Sequence, residues 1–286
     1  MSAASGSPAV VPILMYHSIS GQATPGFRPW TISPELFAAH MAYLRHGQYT
    51  PMTVTQLGDA IAEPGAQLPA RPVVITFDDG FADFYTQALP VLARHGFSAT
   101  LYAVAGLVGR TSRWLERDGE GDRAMLSWSQ LSEIQALGVE CGAHSLSHPQ
   151  LDVLPRDLAW EEIRVSKTLL EDRLGGPVRS FAYPHGYHDA TVRELVQQAG
   201  YTSACGVKHA LSALSDDRFG LARIIVAADT TVGRLERLLA GQGLAVAPTR
   251  EKLKTKAWRA VRRSTARWQA GLGSGRRHAR TGAGRG

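Results

Sequence analysis

Cysteine is scarce: the 286-residue chain holds two, Cys141 and Cys205, far apart and in no CxxC pattern. Reduced cytosolic thiols are therefore expected, not a redox or thiolate metal pair. Nowhere do roughly eighteen apolar residues run together, which argues against a membrane-spanning helix. The N-terminal stretch MSAASGSPAVVPILMYHS lacks the cationic start of a secretory leader, and Pro12 interrupts its apolar run; a cytoplasmic protein is expected. Acids are almost missing from 250–286, where twelve Lys/Arg face only Glu251. The rest of the chain is mildly acidic, so the formal net charge of +6 belongs to the tail.

What is present is ample apolar content, 44%, enough for a sizeable core. Short β-branched or apolar runs at 10–16, 73–77, 99–104, 139–144, 180–183, 202–207 and 222–227 alternate with helical patterns. This reads as βαβ units around a parallel sheet, an α/β fold. Ser33 and Pro34 open one helix over 33–46; a Ser-x-x-Gln capping box opens another over 127–138. Seven strands could close a barrel or form an open doubly wound sheet, and periodicity does not choose. In both, ligands bind where strands end and βα loops begin. Residues 106–123 read as an excursion on that face.

Three strand ends carry unusual chemistry: Asp78-Asp79-Gly80, the HSLSH run from His144 to His148, and the YPHG run from Tyr183 to Gly186. The first strand ends in Tyr16 and His17. Adjacent carboxylates at a partly desolvated strand end repel unless a cation sits beside them. Two imidazoles four residues apart can face one way across a helical turn, and a third ligand from another loop leaves positions open. Two histidines and one aspartate thus predict a catalytic divalent-metal site, with the second aspartate free to take a proton from water. The donor set suits zinc and also admits cobalt, nickel or manganese.

These motifs resemble those of the polysaccharide deacetylases, the carbohydrate esterase family 4 group with a chitooligosaccharide-deacetylase homology domain. The resemblance spans roughly 10–240 and is nearest the exopolysaccharide N-deacetylase-like members. It implies a distorted (β/α)7 barrel in a single catalytic domain, 1–245, and a metal-dependent hydrolase that removes N-acetyl groups from an amino sugar or GlcNAc-containing saccharide. TFDDG (76–80) implies Asp78 as general base and Asp79 as metal ligand; HSLSH implies His144 and His148 as the other two ligands. FAYPHG (181–186) is similar to the third motif and places an oxyanion-binding N–H at His185. It also puts Ala182 where many members carry a catalytic arginine. Leu221-Ala222-Arg223 stands where Leu-x-His is usual, so the common general acid is missing. Arg223, or else Arg179, is expected to orient Asp78. His17, His185 and His188 are candidates for the acid, His17 foremost.

Tyr16, Phe81, Tyr183, Tyr187, Trp114 and Trp128 could furnish sugar platforms. Tyr183 and Pro184 of the third motif and Trp114 of the excursion are the expected substrate contacts. The tail, 246–286, reads as a partly amphipathic helix followed by disorder. Leu253, Ala257, Val261 and Trp268 fall near one face, suited to an anionic membrane surface through 250–270, at the inner face of the membrane; a solvated basic extension is the plainer alternative. No nucleic-acid motif is evident, and no such partner is expected. The competing functions are an amidohydrolase on a non-sugar amide and a catalytically impaired saccharide-binding barrel.

Overall fold

The structure, a computed structural model, describes residues 10–247 and 257–265. Seven parallel strands form a curled sheet: β1 (Ile13–Tyr16), β2 (Pro72–Phe77), β3 (Thr100–Ala103), β4 (Glu140–Ala143), β5 (Ser180–Ala182), β6 (Ser203–Cys205) and β7 (Ile224–Ile225). Their spatial order is β6-β5-β4-β3-β2-β1-β7, with a short strand, Thr50–Met52, filling in beside the start of β2. A parallel bridge between Cys205 and Leu221 joins the two edges. The alternative of an open doubly wound sheet is thereby settled in favour of a distorted barrel. All seven strands coincide with the apolar runs of the sequence.

Helices α1 (Pro34–His46), α2 (Val54–Ala62), α3 (Leu89–His95), α4 (Trp128–Ala136), α5 (Arg156–Leu174), α6 (Ala190–Gln198) and α7 (Val232–Leu239) surround the sheet. The starts of α1 and α4 follow from local chemistry. Ser33 Oγ accepts from Leu36 N–H at 3.2 Å, and Ser127 and Gln130 form the expected reciprocal box.

Strand alternation sorts side chains into two cores. Leu14, Tyr16, Val73, Ile75 and Phe77 pack outward among the helices. Ile13, Val74, Tyr102, Ala182, Cys205 and Leu221 fill the barrel. Continuing the same alternation places Met15 and His17 of the first strand, and Asp78 after Val74 and Thr76, on the inner side. Arg223, two residues after Leu221, also points inward and is fully buried.

Candidate active site

At the C-terminal ends of the strands a cavity of about 350 Å³ is bounded by His17, Asp78, Asp79, Trp114, His144, His148, His185 and Tyr187, among others. Asp78 extends the β2 ladder, its N–H donating to Tyr16 O at 3.0 Å. The chain then turns abruptly: Asp79 has φ 76° and Gly80 φ 83°. At Gly80 a Cβ would stand 3.2 Å from Ala103 Cα, so glycine serves both the backbone angle and the close approach of β3. This reversal sends the two carboxylates different ways.

His144 and His148 are not held by a helical turn as expected. The loop after β4 instead bends through two left-handed residues, Ser145 (φ 63°) and His148 (φ 67°), and His148 N–H donates to Ser145 Oγ at 3.0 Å. With Asp79 and His185 (φ 58°), four of the seven non-glycine residues at positive φ among the described residues lie in this site, so backbone strain is concentrated there. Glu162, on α5, secures the bend: its carboxylate accepts from Leu146 N–H (3.0 Å), Ser147 N–H (2.8 Å) and the Ser147 hydroxyl. Nothing in the local sequence marks Glu162 for this task.

Asp79, His144 and His148, all buried, bring one ligand atom each within 4.8 Å of the others. Asp79 Oδ1 lies 3.5 Å from His144 Nε2 and 3.2 Å from His148 Nε2. Ligand atoms bonded tetrahedrally to zinc at about 2.0–2.1 Å stand roughly 3.4 Å apart, so these spacings fit a divalent cation. His144 Nδ1 lies 2.8 Å from Ala182 O and so carries the ring proton, leaving Nε2 as a lone-pair donor. Burial pushes the His144 imidazole down to about 4, keeping it neutral. Burial raises the Asp79 carboxyl, but its hydrogen bond to His148 and the surrounding imidazoles outweigh this and hold it far below the usual range. The set is thus poised as one anion and a neutral ring, the protonation states that metal binding requires. In equilibrium dialysis against zinc or cobalt, one ion per chain is expected. His144→Ala should weaken binding by more than roughly 100-fold, beyond the usual cost of disturbing an outer partner; unchanged affinity would mean the triad is not the site.

Asp78 is gripped by Arg223. Nη1 donates to Oδ1 at 2.6 Å and Nη2 to Oδ2 at 2.7 Å, while Nε donates to Gly206 O and Nη1 also to Thr76 Oγ1. Burial pushes the Asp78 carboxyl up, yet the guanidinium, with the neighbouring imidazoles, holds it below the usual carboxylate range. The same pairing raises Arg223 against the opposing effect of burial. Arg179 is elsewhere, paired at the exposed surface with Asp59 of α2.

His17 lines the cavity, its ring 5.0 Å from that of Trp30, and its buried Nδ1 has no hydrogen-bond partner among the described residues. Burial lowers its imidazole. His185 sets its ring edge-on to His148 at 4.6 Å, and Trp114 also packs on His148 at 4.7 Å while stacking on Phe81. His188 stacks on Tyr183 at 4.2 Å and does not line the cavity. Tyr183 and Pro184 are buried and also miss it, contrary to the sequence expectation. Tyr183 follows inward-facing Ala182, so alternation turns it to the helical layer, where its hydroxyl donates to Phe219 O at 2.9 Å. Tyr16 likewise faces outward and pairs with His40. Trp128 sits under Arg173 at the start of α4, away from the cavity. Of the aromatic candidates, Trp114 and Tyr187 line it, and Trp30 joins them unforeseen.

The polysaccharide deacetylase family profile matches residues 65–204. The chain is 25% identical over 219 residues to YxkH of Bacillus subtilis (strain 168), a protein named for polysaccharide deacetylation, covering 77% of this chain and 72% of the relative. It is 27% identical over 136 residues to the poly-β-1,6-N-acetyl-D-glucosamine N-deacetylase of Escherichia coli (strain K12), covering 46% of this chain and 20% of that protein. In fold it is similar to the Streptococcus pyogenes deacetylase PplD, solved with acetate, at a TM-score of 0.72 and 24% identity, over 82% of this chain and 99% of that one.

Proposed function

Because the chain belongs to the polysaccharide deacetylase family, we propose that it hydrolyses the acetamido group of an N-acetylated amino sugar, releasing acetate and a free amine. The observation that carries this reading is the pairing, in one cavity, of the Asp79-His144-His148 triad with an Asp78 locked by Arg223. A divalent cation held by the triad supplies Lewis-acid activation of water and of a carbonyl oxygen. Asp78 would take the proton of the attacking water; its low basicity is offset by a fixed direction, since both its oxygens are held. The His185 N–H would donate to the developing oxyanion. His17, inward-facing with an unpartnered Nδ1, would return a proton to the departing amine nitrogen. Trp114, Trp30 and Tyr187 would cover the sugar ring.

The Escherichia coli relative acts, by its name, on poly-β-1,6-N-acetyl-D-glucosamine, which favours a GlcNAc-containing saccharide as substrate. The test is acetate release from chitooligosaccharides and β-1,6-linked GlcNAc oligomers by zinc-loaded protein. Turnover that disappears with a chelator and returns with zinc is expected; no acetate from either series would overturn the proposal.

No helix among the described residues is long and apolar enough to cross a membrane. A peripheral attachment to anionic lipid is part of the proposed reading, supported by the bases of 250–286 other than Arg259, Arg262 and Arg263, which pair within the protein, and by the exposed Trp258 and Val261 of the described stretch 257–265. Of the apolar face expected in the tail, Leu253 and Trp268 lie outside the described residues. Sedimentation with phosphatidylserine-containing liposomes should fall in Trp258→Ser/Val261→Ser; equal binding by both forms would remove lipid docking through this face.

A further inference from the structure

Residues 257–265 form a helical stretch whose arginines turn toward the protein while Trp258 and Val261 face outward. Arg262 donates from Nη1 to Asp152 Oδ1 at 2.8 Å and to Gln150 Oε1 at 3.1 Å, and from Nη2 to Asp152 Oδ2 at 2.7 Å. Its guanidinium carbon lies 3.7 Å from the centre of the Tyr187 ring. Arg259 reaches Asp152 Oδ2 through Nε at 3.2 Å and His188 O through Nη2 at 3.0 Å. Arg263 donates to Asp152 O at 2.9 Å and pairs with Asp189, the N-cap of α6.

The Asp152 side chain is fully buried (0% exposed), and a carboxylate so placed needs cations around it. The arginines of 257–265 supply them, so this part of the tail is not a solvated basic extension. Asp152 and Gln150 belong to the loop that follows metal-site residue His148; Tyr187, His188 and Asp189 belong to the loop that follows β5. The three arginines therefore brace together two loops that form one wall of the cavity, and Tyr187 is where the brace meets the cavity itself.

We propose that Arg262 is a positioning residue for the substrate wall: by pairing with Asp152 and stacking on Tyr187 it fixes the aromatic face against which the saccharide lies. The substrate site thus extends to a segment well outside the family-matched region 65–204. The substrate half of this inference rests on the deacetylase reading; the brace does not. A flat guanidinium both forks onto a carboxylate and stacks on a ring, which lysine cannot reproduce.

The full-length chain and its Arg262→Ala and Arg262→Lys variants would be compared by hydrogen exchange and by acetate-release kinetics. Amide exchange in 149–153 and 185–189 should quicken by about tenfold in Arg262→Ala, with the barrel strands unchanged. KM for a GlcNAc oligomer should rise by about tenfold, as for a lost stacking and ion-pair contact, with kcat within roughly twofold. Arg262→Lys keeps the charge beside Asp152 and serves if the alanine variant does not fold; the same pattern at smaller amplitude is expected. Unchanged exchange at 185–189 overturns the brace, and a fall in kcat at constant KM overturns the positioning role. If the parent protein releases no acetate, the deacetylase reading fails while hydrogen exchange still decides the brace.

Discussion

Asp78→Asn is expected to lower kcat for acetate release by roughly 10³-fold, within the 10²–10⁴-fold range of a positioned general base. KM and the metal content of one ion per chain should be retained. The reason lies in geometry. The amide of asparagine keeps the shape of the carboxylate and one acceptor oxygen for the Arg223 fork, but it cannot take a proton from water. Asp78 stands next to the triad without being one of its three donors, Oδ2 being 4.0 Å from His144 Nε2. The substitution should therefore separate proton transfer from metal holding. Inductively coupled plasma analysis beside the kinetics checks both, and a variant with near-normal kcat would show that another group is the base.

Arg223→Met should produce the largest loss of stability of any substitution at the site. Arg223 is fully buried, and its partner Asp78 is nearly so. Removing the guanidinium leaves a buried carboxylate uncompensated, at a cost of about 3–5 kcal/mol. For a chain of this size that corresponds to a fall in Tm of roughly 6–20 °C. The sign matters as much as the size. Breaking one side of a buried pair is far worse than removing both, because the penalty comes from the stranded charge. The double variant Asp78→Asn/Arg223→Met should accordingly regain a good part of the Tm lost by Arg223→Met, although it stays inactive. Calorimetry on metal-free and zinc-loaded protein is the check. A single variant that melts with the parent would mean that the ion pair carries no weight in the fold.

These two residues also show where sequence reasoning reaches. Asp78, Asp79, His144 and His148 were legible because the Asp-Asp pair and the HSLSH run each begin directly after an apolar strand run, and a parallel sheet brings such ends to one rim. Arg223 was legible as the cation orienting Asp78 in place of the arginine absent at Ala182, with Arg179 as a second candidate. Alternation along 221–225 would have decided between them, since Leu221 and Arg223 share the inward face. The same rule, applied to Ala182 and Tyr183, would have removed Tyr183 from the substrate contacts. Glu162 and the Asp152–Arg262 pair were beyond reach. Each depends on a loop meeting a helix that is 15 to 16 or 110 positions away in the chain.

Local order along the chain thus determined the seven strands, the helix caps and the chemical types gathered at the rim, because these follow from hydrogen-bonding periods and turn preferences over a few residues. Tertiary structure decided which cation grips Asp78, how the imidazole pair is turned through left-handed backbone, and that the arginines of 257–265 point inward. Those outcomes depend on burying charge, and a charge can be buried only where its counter-charge arrives from a distant part of the chain.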